Sequence, residues 1–298
     1  MSTDPFRIRI IGERINPGFK STKALFDNQD IAGIQALAVK QAQAGASWLN
    51  VNVGARALTD TPWMATVIAA IQDAVSVPLS FDFPSKKVQA ACLAAYDPAK
   101  AGGALPLVNS ITEHRWDLME LYGQYRFKVI LMASERVEDV NGVQVAKGNK
   151  TAQEIYGTAR RAALRLMNEH GMPADDIFID MSVSAIVADT EGLNRATIDA
   201  IALIGADPAL KGVHMMGGLS NIGQQLPPKA ADGSDLKHTL ECAFLTLTVP
   251  LGFDTVLGTP WRGYEPLPPD HYVLKAYQHF LEQSGTQALR AVRKLYRA

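Results

Sequence analysis

Short runs rich in branched apolar residues alternate along the chain with longer stretches whose apolar positions return every three to four residues. These are the spacings of buried strands and of amphipathic helices. The first run, 7–12, leads through a Pro/Gly loop to a helix on which Ile31, Ile34, Ala38 and Ala42 share a face, and Gly45 marks its stop. A second strand is expected over 48–53. Thr61-Pro62 then reads as an N-cap followed by proline at the first helical position, opening a helix to about residue 75. A third strand, 78–82, is followed by a helix over 85–96 and a fourth strand, 105–109. Ser110 and Glu113 there have the spacing of a capping box and predict another helix. The fifth strand is 127–132. Thr151 and Glu154 form a second capping box before a helix that carries Ile155, Ala159, Ala162, Leu166 and Met167 on one face and stops at Gly171. Strand 177–180, helix 194–204, strand 212–216, helix 236–249, strand 253–257 and a long last helix over 270–283 complete the pattern.

Eight strand–helix pairs result. Strands joined through single helices pair in parallel, and eight such units in about 250 residues make a closed (β/α)8 TIM barrel, read here as a single α/β domain over 1–298. Two connections exceed what packing needs. The stretch 134–150 contains Asn141-Gly142, a two-residue hairpin signal, and 223–237 is a long polar loop. Both follow strands, on the face where barrels of this kind place their chemistry.

Polar residues at strand ends are the informative feature, because a barrel interior is filled by branched apolar side chains. Asn52, Asp82, Asn109 and Asp180 end strands two, three, four and six, and Ser220-Asn221 follow strand seven after Gly217-Gly218. Each alone could cap the next helix or satisfy a turn. Together they ring one mouth, with no matching set of Lys or Arg. Amides donate and accept while carboxylates accept, so the rim suits a heterocycle bearing adjacent N–H donors with carbonyl and ring-nitrogen acceptors, and suits a phosphate poorly. Glu13 and Arg14, just past strand one, are either an ion pair bracing the barrel or ligand contacts. His214, inside strand seven, is expected to be a satisfied core histidine rather than an acid.

Charge narrows the partners. Lys and Arg number 29 against 30 Asp and Glu, a net charge of −1, which offers no basic field for nucleic acid or anionic lipid. Asp4 and Arg7 sit where a secretory leader would need a basic head and an apolar stretch, and no run of about 18 apolar residues occurs, so a cytoplasmic location with no membrane partner is expected. Cys92 and Cys242 lie far apart without ligand-spaced neighbours and are expected to be core thiols, with no metal site. Neither GxGxxG nor GxxxxGK[ST] is present.

The segments Gly12-Glu13-Arg14-Ile15-Asn16, Ala44 to Gly54, Asp82, Val108-Asn109-Ser110 and Gly218-Leu219-Ser220-Asn221 resemble the pterin-binding methyltransferases that exchange methyl groups between tetrahydrofolate and a corrinoid protein. The resemblance spans nearly the whole chain, in order. It implies that Asp82, Asn109 and Asp180 bind the pterin ring, with Asn52, Glu13 and Ser220 around it, and that Asn221 is the catalytic amide near N5. It also implies tetrahydrofolate and 5-methyltetrahydrofolate as substrates, cobalamin carried by a partner corrinoid protein, and a homodimer. Some relatives carry a basic residue after strand seven; Lys229 is the candidate here for contact with the folate tail. The Pro-Pro-Lys229 loop and Gly258 to Arg262 are closest to demethylation systems, which would make tetrahydrofolate the acceptor. Two rivals follow. Dihydropteroate synthase shares the fold and the pterin logic, but its Asn-x-Thr-Pro-Asp-Ser-Phe opening is missing. A non-catalytic folate-binding scaffold subunit is the other.

Overall fold

The computed structural model describes residues 6–297; the reading that rested on Asp4 lies outside them. The chain runs β1 (Arg9–Ile15), α1 (Lys20–Asp27), α2 (Ile31–Gln43), β2 (Trp48–Val51), α3 (Thr61–Ala74), β3 (Leu79–Asp82), α4 (Lys86–Ala95), β4 (Leu107–Ile111), β5 (Lys128–Met132), β6 (Glu135–Val140), β7 (Val143–Gly148), α5 (Ala152–His170), β8 (Ile177–Asp180), α6 (Leu193–Ala206), β9 (His214–Gly218), α7 (Leu236–Thr248), β10 (Phe253–Gly258), α8 (Tyr272–Leu281) and α9 (Gly285–Lys294). Eight parallel strands close in the circular order β1-β2-β3-β4-β5-β8-β9-β10. The expected TIM barrel is therefore the observed one. β6 and β7 form the separate two-stranded antiparallel ribbon anticipated after the fifth strand, turned through Asn141 (φ 56°) and Gly142 (φ 82°), both left-handed as a type I′ turn requires.

Strand residues alternate inward and outward, so the inward side chains stack in levels along the barrel axis. The middle level is a small apolar cluster of Ile11, Leu107, Ile130, Phe178 and Met216, with Trp48 and Leu257 against it. Trp48 meets Phe178 edge to face with centroids 5.4 Å apart. Outward side chains pack under the helices into the much larger second cluster, which holds Leu49, Phe81, Val108, Leu131, Ile179 and Val256. The α5 capping box is complete: Thr151 accepts from the Glu154 N–H while the Glu154 carboxylate takes the Thr151 N–H.

Several expectations are corrected by tertiary pairing. β1 extends to Ile15, which pairs with Val51 after a register shift, so Glu13 and Arg14 lie within the strand rather than past it. β4 extends to Ile111 and absorbs Ser110, so the expected capping box there does not form. Thr112 caps instead, accepting from the Arg115 N–H, and a kinked 3-10 segment over Glu113–Gly123 replaces the helix. Glu113 is drawn to the ribbon, accepting from the Val137 N–H at 2.9 Å. Asp60, not Thr61, caps α3. The expected last helix is α8; helices α1 and α9, the latter beginning at Gly285 (φ 54°), were not anticipated. Cys92 and Cys242 are free and buried, as expected.

Gly205 on α6 gives a test of how tightly the helical layer fits. A Cβ there would lie 2.2 Å from the Leu251 carbonyl oxygen, a backbone atom that cannot swing aside. Alanine ordinarily gains about 1 kcal/mol over glycine inside a helix. Here Gly205→Ala should instead destabilise by about 1–3 kcal/mol, read from the urea midpoint, because overpacking outweighs propensity; a stabilised variant would show that the layer yields.

Candidate active site

The upper inward level, at the carboxyl ends of the strands, is polar. Pairing places Asp82 of β3 beside Asn109 of β4, and Met132 of β5 beside Asp180 of β8. Strand parity makes Asn109, Met132 and Asp180 inward, because Leu107, Ile130 and Phe178 two positions earlier belong to the interior cluster, and Asp82 inward because its neighbour Phe81 packs in the outer one. Asp82 Oδ2 accepts from the amides of Asn50 and Asn52, both at 3.3 Å. Asn52 follows the end of β2 and is held by accepting the Gly54 N–H at 2.7 Å. Asn50 was missed from sequence. Its signal was its spacing, two residues before Asn52 on the same inward face. It is buried, and its Oδ1 has no partner, nor has Ser80 Oγ, its neighbour across the β2–β3 pair.

Asp180 differs from Asp82. Among the described residues its carboxylate accepts one hydrogen bond, from the Ser182 N–H to Oδ1 at 2.7 Å, made by a turn in which Ser182 takes a left-handed φ of 50°. Burial pushes its carboxyl up to about 6; the Ser182 N–H opposes this, and the negative charge of Asp82 across the mouth adds to it. Two acids therefore face the same space, one satisfied by amides and the other short of donors. Gln89 of α4 braces the β3 and β4 ends from behind, donating to the carbonyls of Phe81, Phe83 and Asn109.

On the opposite wall Glu13 is buried and accepts from Ser220 Oγ at 3.1 Å and Thr259 Oγ1 at 2.9 Å. Burial raises its pKa, and these two hydroxyls oppose the rise. Thr259 was also missed. Glu13 and Arg14 do not form the ion pair considered from sequence: alternation sends the Arg14 guanidinium outward onto the Phe19 ring, 3.8 Å from its centroid. Asn221 is exposed, and its Oδ1 accepts from Gln224 at 2.7 Å. Gly218 continues the inward row of Met216, and a Cβ built on it would come within 3.2 Å of Asn221 Nδ2. The amide thus occupies space that a side chain at 218 would take.

The structure does not bring the remaining candidates into this ring. Lys229 is exposed and pairs through its backbone with Asp235, and among the described residues its side chain has no bond to the mouth. His214 sits at the far, amino-terminal end, buried between Asp254 (2.7 Å) and Asp175 (3.1 Å), which is the satisfied role expected of it. No helix among the described residues is long and apolar enough to cross a membrane.

The fold and the mouth define a (β/α)8 barrel with a polar site at the carboxyl ends of its strands. The family described as "Pterin binding enzyme" matches residues 13–257, and the chain belongs to it. It is 26% identical over 258 residues to a methylcorrinoid:tetrahydrofolate methyltransferase of Eubacterium limosum, covering 84% of each chain. Among solved structures it is similar to dihydropteroate synthases of Clostridium difficile (17% identity, all of both chains, TM-score 0.56) and Coxiella burnetii (14% identity, 93% of this chain and 94% of the other, TM-score 0.56). At such identities these two likenesses bear on the fold alone.

The electrostatics yield a stability prediction. Asp180's folded-state pKa lies above its ordinary 3.8, so its contribution is most favourable below pH 4 and is lost as pH rises through about 6. Asp180→Asn should therefore stabilise the free protein at pH 7.5 by roughly 1–3 kcal/mol, with the gain fading toward pH 4. Denaturation at both pH values checks this, and an equal gain at each would remove charge as the cause.

Proposed function

We propose that the protein is a methyltransferase that moves a methyl group between a methylated corrinoid, carried by a partner protein, and N5 of tetrahydrofolate, with tetrahydrofolate as acceptor. The observation that carries this reading is the division of the mouth: two carboxylates and an amide on β3, β4 and β8, and a separate, exposed amide, Asn221, after β9. The methyltransferase relative, matched over most of both chains, supports the same choice.

The 2-amino pyrimidinone edge of a pterin presents adjacent N–H donors. Asp180, short of donors in the free protein, accepts from them, and such charge-assisted bonds are the stronger kind. Asp82 and Asn109 complete the edge, with the Asn50 and Asn52 amides holding Asp82 in place. Glu13 and Ser220 border the other side of the ring. When methyl is transferred, the N5 lone pair forms the new C–N bond, the cobalt–carbon pair stays on cobalt as Co(I), and the N5 proton leaves to solvent. Asn221 hydrogen-bonds N5 as charge develops there, which stabilises the transition state without making the amide an acid. In the reverse direction the same contact assists N5 as a leaving group, with the proton arriving through water. A homodimer and a cytoplasmic setting belong to the same proposal.

Mixed anaerobically with methylcobalamin and tetrahydrofolate, the protein should produce the Co(I) spectrum and 5-methyltetrahydrofolate. Asn221→Ala should lower kcat by about 10- to 100-fold with a smaller change in folate affinity, and Asp180→Ala should chiefly weaken binding. Folate binding with no spectral change would favour a scaffold. Formation of 7,8-dihydropteroate from a pterin donor and 4-aminobenzoic acid, with no methyl transfer, would overturn this reading in favour of a dihydropteroate synthase.

A further inference from the structure

The last helix, α9, has two unlike faces. Ala288, Ala291, Val292 and Leu295 are buried, while Arg290, Arg293, Lys294 and, just past the helix end, Arg297 are exposed. Those four recur at the three- to four-residue spacing that lines one side of a helix. Among the described residues none of them has a carboxylate within ion-pair distance, whereas Arg195 of α6 and Arg262 both do. Residues 283–297 include no acid. Of the acids on adjoining segments, Glu282 borders the cleft beside Arg195 and Asp232 accepts from Ser234, and neither they nor Asp270 pair with the stripe. The helix dipole favours cations in the last turn, which accounts for Arg293 and Lys294, but the stripe begins earlier, at Arg290. Like charges three and four residues apart repel, so nothing within the helix favours the whole row.

Hydrogen bonds fix where this stripe stands. The Gly285 N–H donates to the Thr190 carbonyl in the loop between β8 and α6, and the Leu295 carbonyl accepts from Ala231 in the loop between β9 and α7. Between these ends α9 packs on the turn Ile186–Ala188, and the Ile186 N–H donates to the carbonyl of Ile222, the residue after Asn221. Both loops leave the carboxyl ends of strands, one just after Asp180 and the other through Asn221, so the helix lies on the side of the barrel that holds the mouth. A methyl group on a protein-borne corrinoid reaches N5 only if its carrier settles over that side. We propose that the exposed row Arg290, Arg293, Lys294 and Arg297 is a docking surface for an acidic face of the corrinoid-carrying protein. Charge complementarity carries the choice of occupant. Without these four residues the chain would carry −5 instead of −1, so an acidic partner finds here an attraction that the rest of the surface does not offer. The proposal rests on the methyltransferase reading above and adds to it the place where the carrier sits. Attraction between exposed charges acts on encounter and orientation, and salt screens it.

Free methylcobalamin has no protein to dock and serves as the control donor. With tetrahydrofolate as acceptor, a variant combining Arg290→Ala, Arg293→Ala and Lys294→Ala should take methyl from free methylcobalamin at the wild-type rate. With a purified methylcorrinoid protein as donor, the wild type should show a higher kcat/KM than with free methylcobalamin. In the triple variant that kcat/KM should fall about 5- to 50-fold, chiefly through KM, and added KCl should weaken the wild type while changing the variant little. A second variant, Arg290→Lys with Arg293→Lys, keeps the charge and should keep most of the wild-type KM, which a packing role for the arginines would not allow. No advantage of the protein donor in the wild type, an unchanged KM in the triple variant, or an equal loss with free methylcobalamin would overturn the docking surface and leave the methyltransferase reading intact. So would binding to phosphatidylserine vesicles that the triple variant loses while its KM for the protein donor stays as it was. Absence of methyl transfer from either donor by the wild-type protein would end both.

Discussion

Closure of the parallel sheet constrains everything else in this molecule. Eight strands whose side chains alternate can offer the barrel axis only a few levels, and the backbone pairing decides which residues share one. Asp82 stands beside Asn109, and Met132 beside Asp180, because the main-chain registers β3–β4 and β5–β8 place them there. A slip of one residue in any strand would turn its polar top outward and its outward apolar residues into the axis. The apolar middle level holds the registers in place, since Ile11, Leu107, Ile130, Phe178 and Met216 fill the axis only when every strand is correctly phased.

That apolar floor has an electrostatic consequence for the layer above it. Asp82 is compensated by two amides, whereas Asp180 has a single backbone donor and a like charge across the mouth. A carboxylate short of donors is unfavourable in the free protein and favourable once a ligand brings N–H groups to it. The cost of a carboxylate short of donors and the attraction of such a site for a donor-bearing group thus have one origin. Glu13 is treated differently: two hydroxyls and burial leave it a fixture of the wall.

The two ends of the barrel show the same principle with opposite outcomes. At the amino-terminal end Arg9, His214, Asp254, Asp175 and Lys128 pair among themselves, so their charges close the barrel. At the carboxyl end the acids face one another, and Arg14 rests outward on the Phe19 ring instead of approaching them. Unmatched charge is concentrated where loops are long and the axis is open, which is where ligands meet barrels of this type.

Local chemistry determined much of this by itself. The alternation of apolar runs with helical spacing required strand–helix units. Thr151 and Glu154 sufficed to start α5, and Asn141-Gly142 to turn the ribbon, because capping and turn formation involve only neighbours in sequence. The polar strand ends also marked the mouth without any knowledge of contacts. Other features depended on partners distant in the chain. Whether Glu13 belonged to a loop or a strand was decided by pairing with β2 and β10, and whether Ser110 began a helix or ended a strand by pairing with β5. Thr259 became visible only when closure brought it to Glu13, and the role of Asn50 was fixed when β2–β3 pairing set it against Asp82. The charge state of Asp180 likewise depends on the depth of its site and on Asp82, 98 residues earlier in the chain. Propensity acts over a few residues, but burial, register and the field of a distant charge exist only once the barrel has closed.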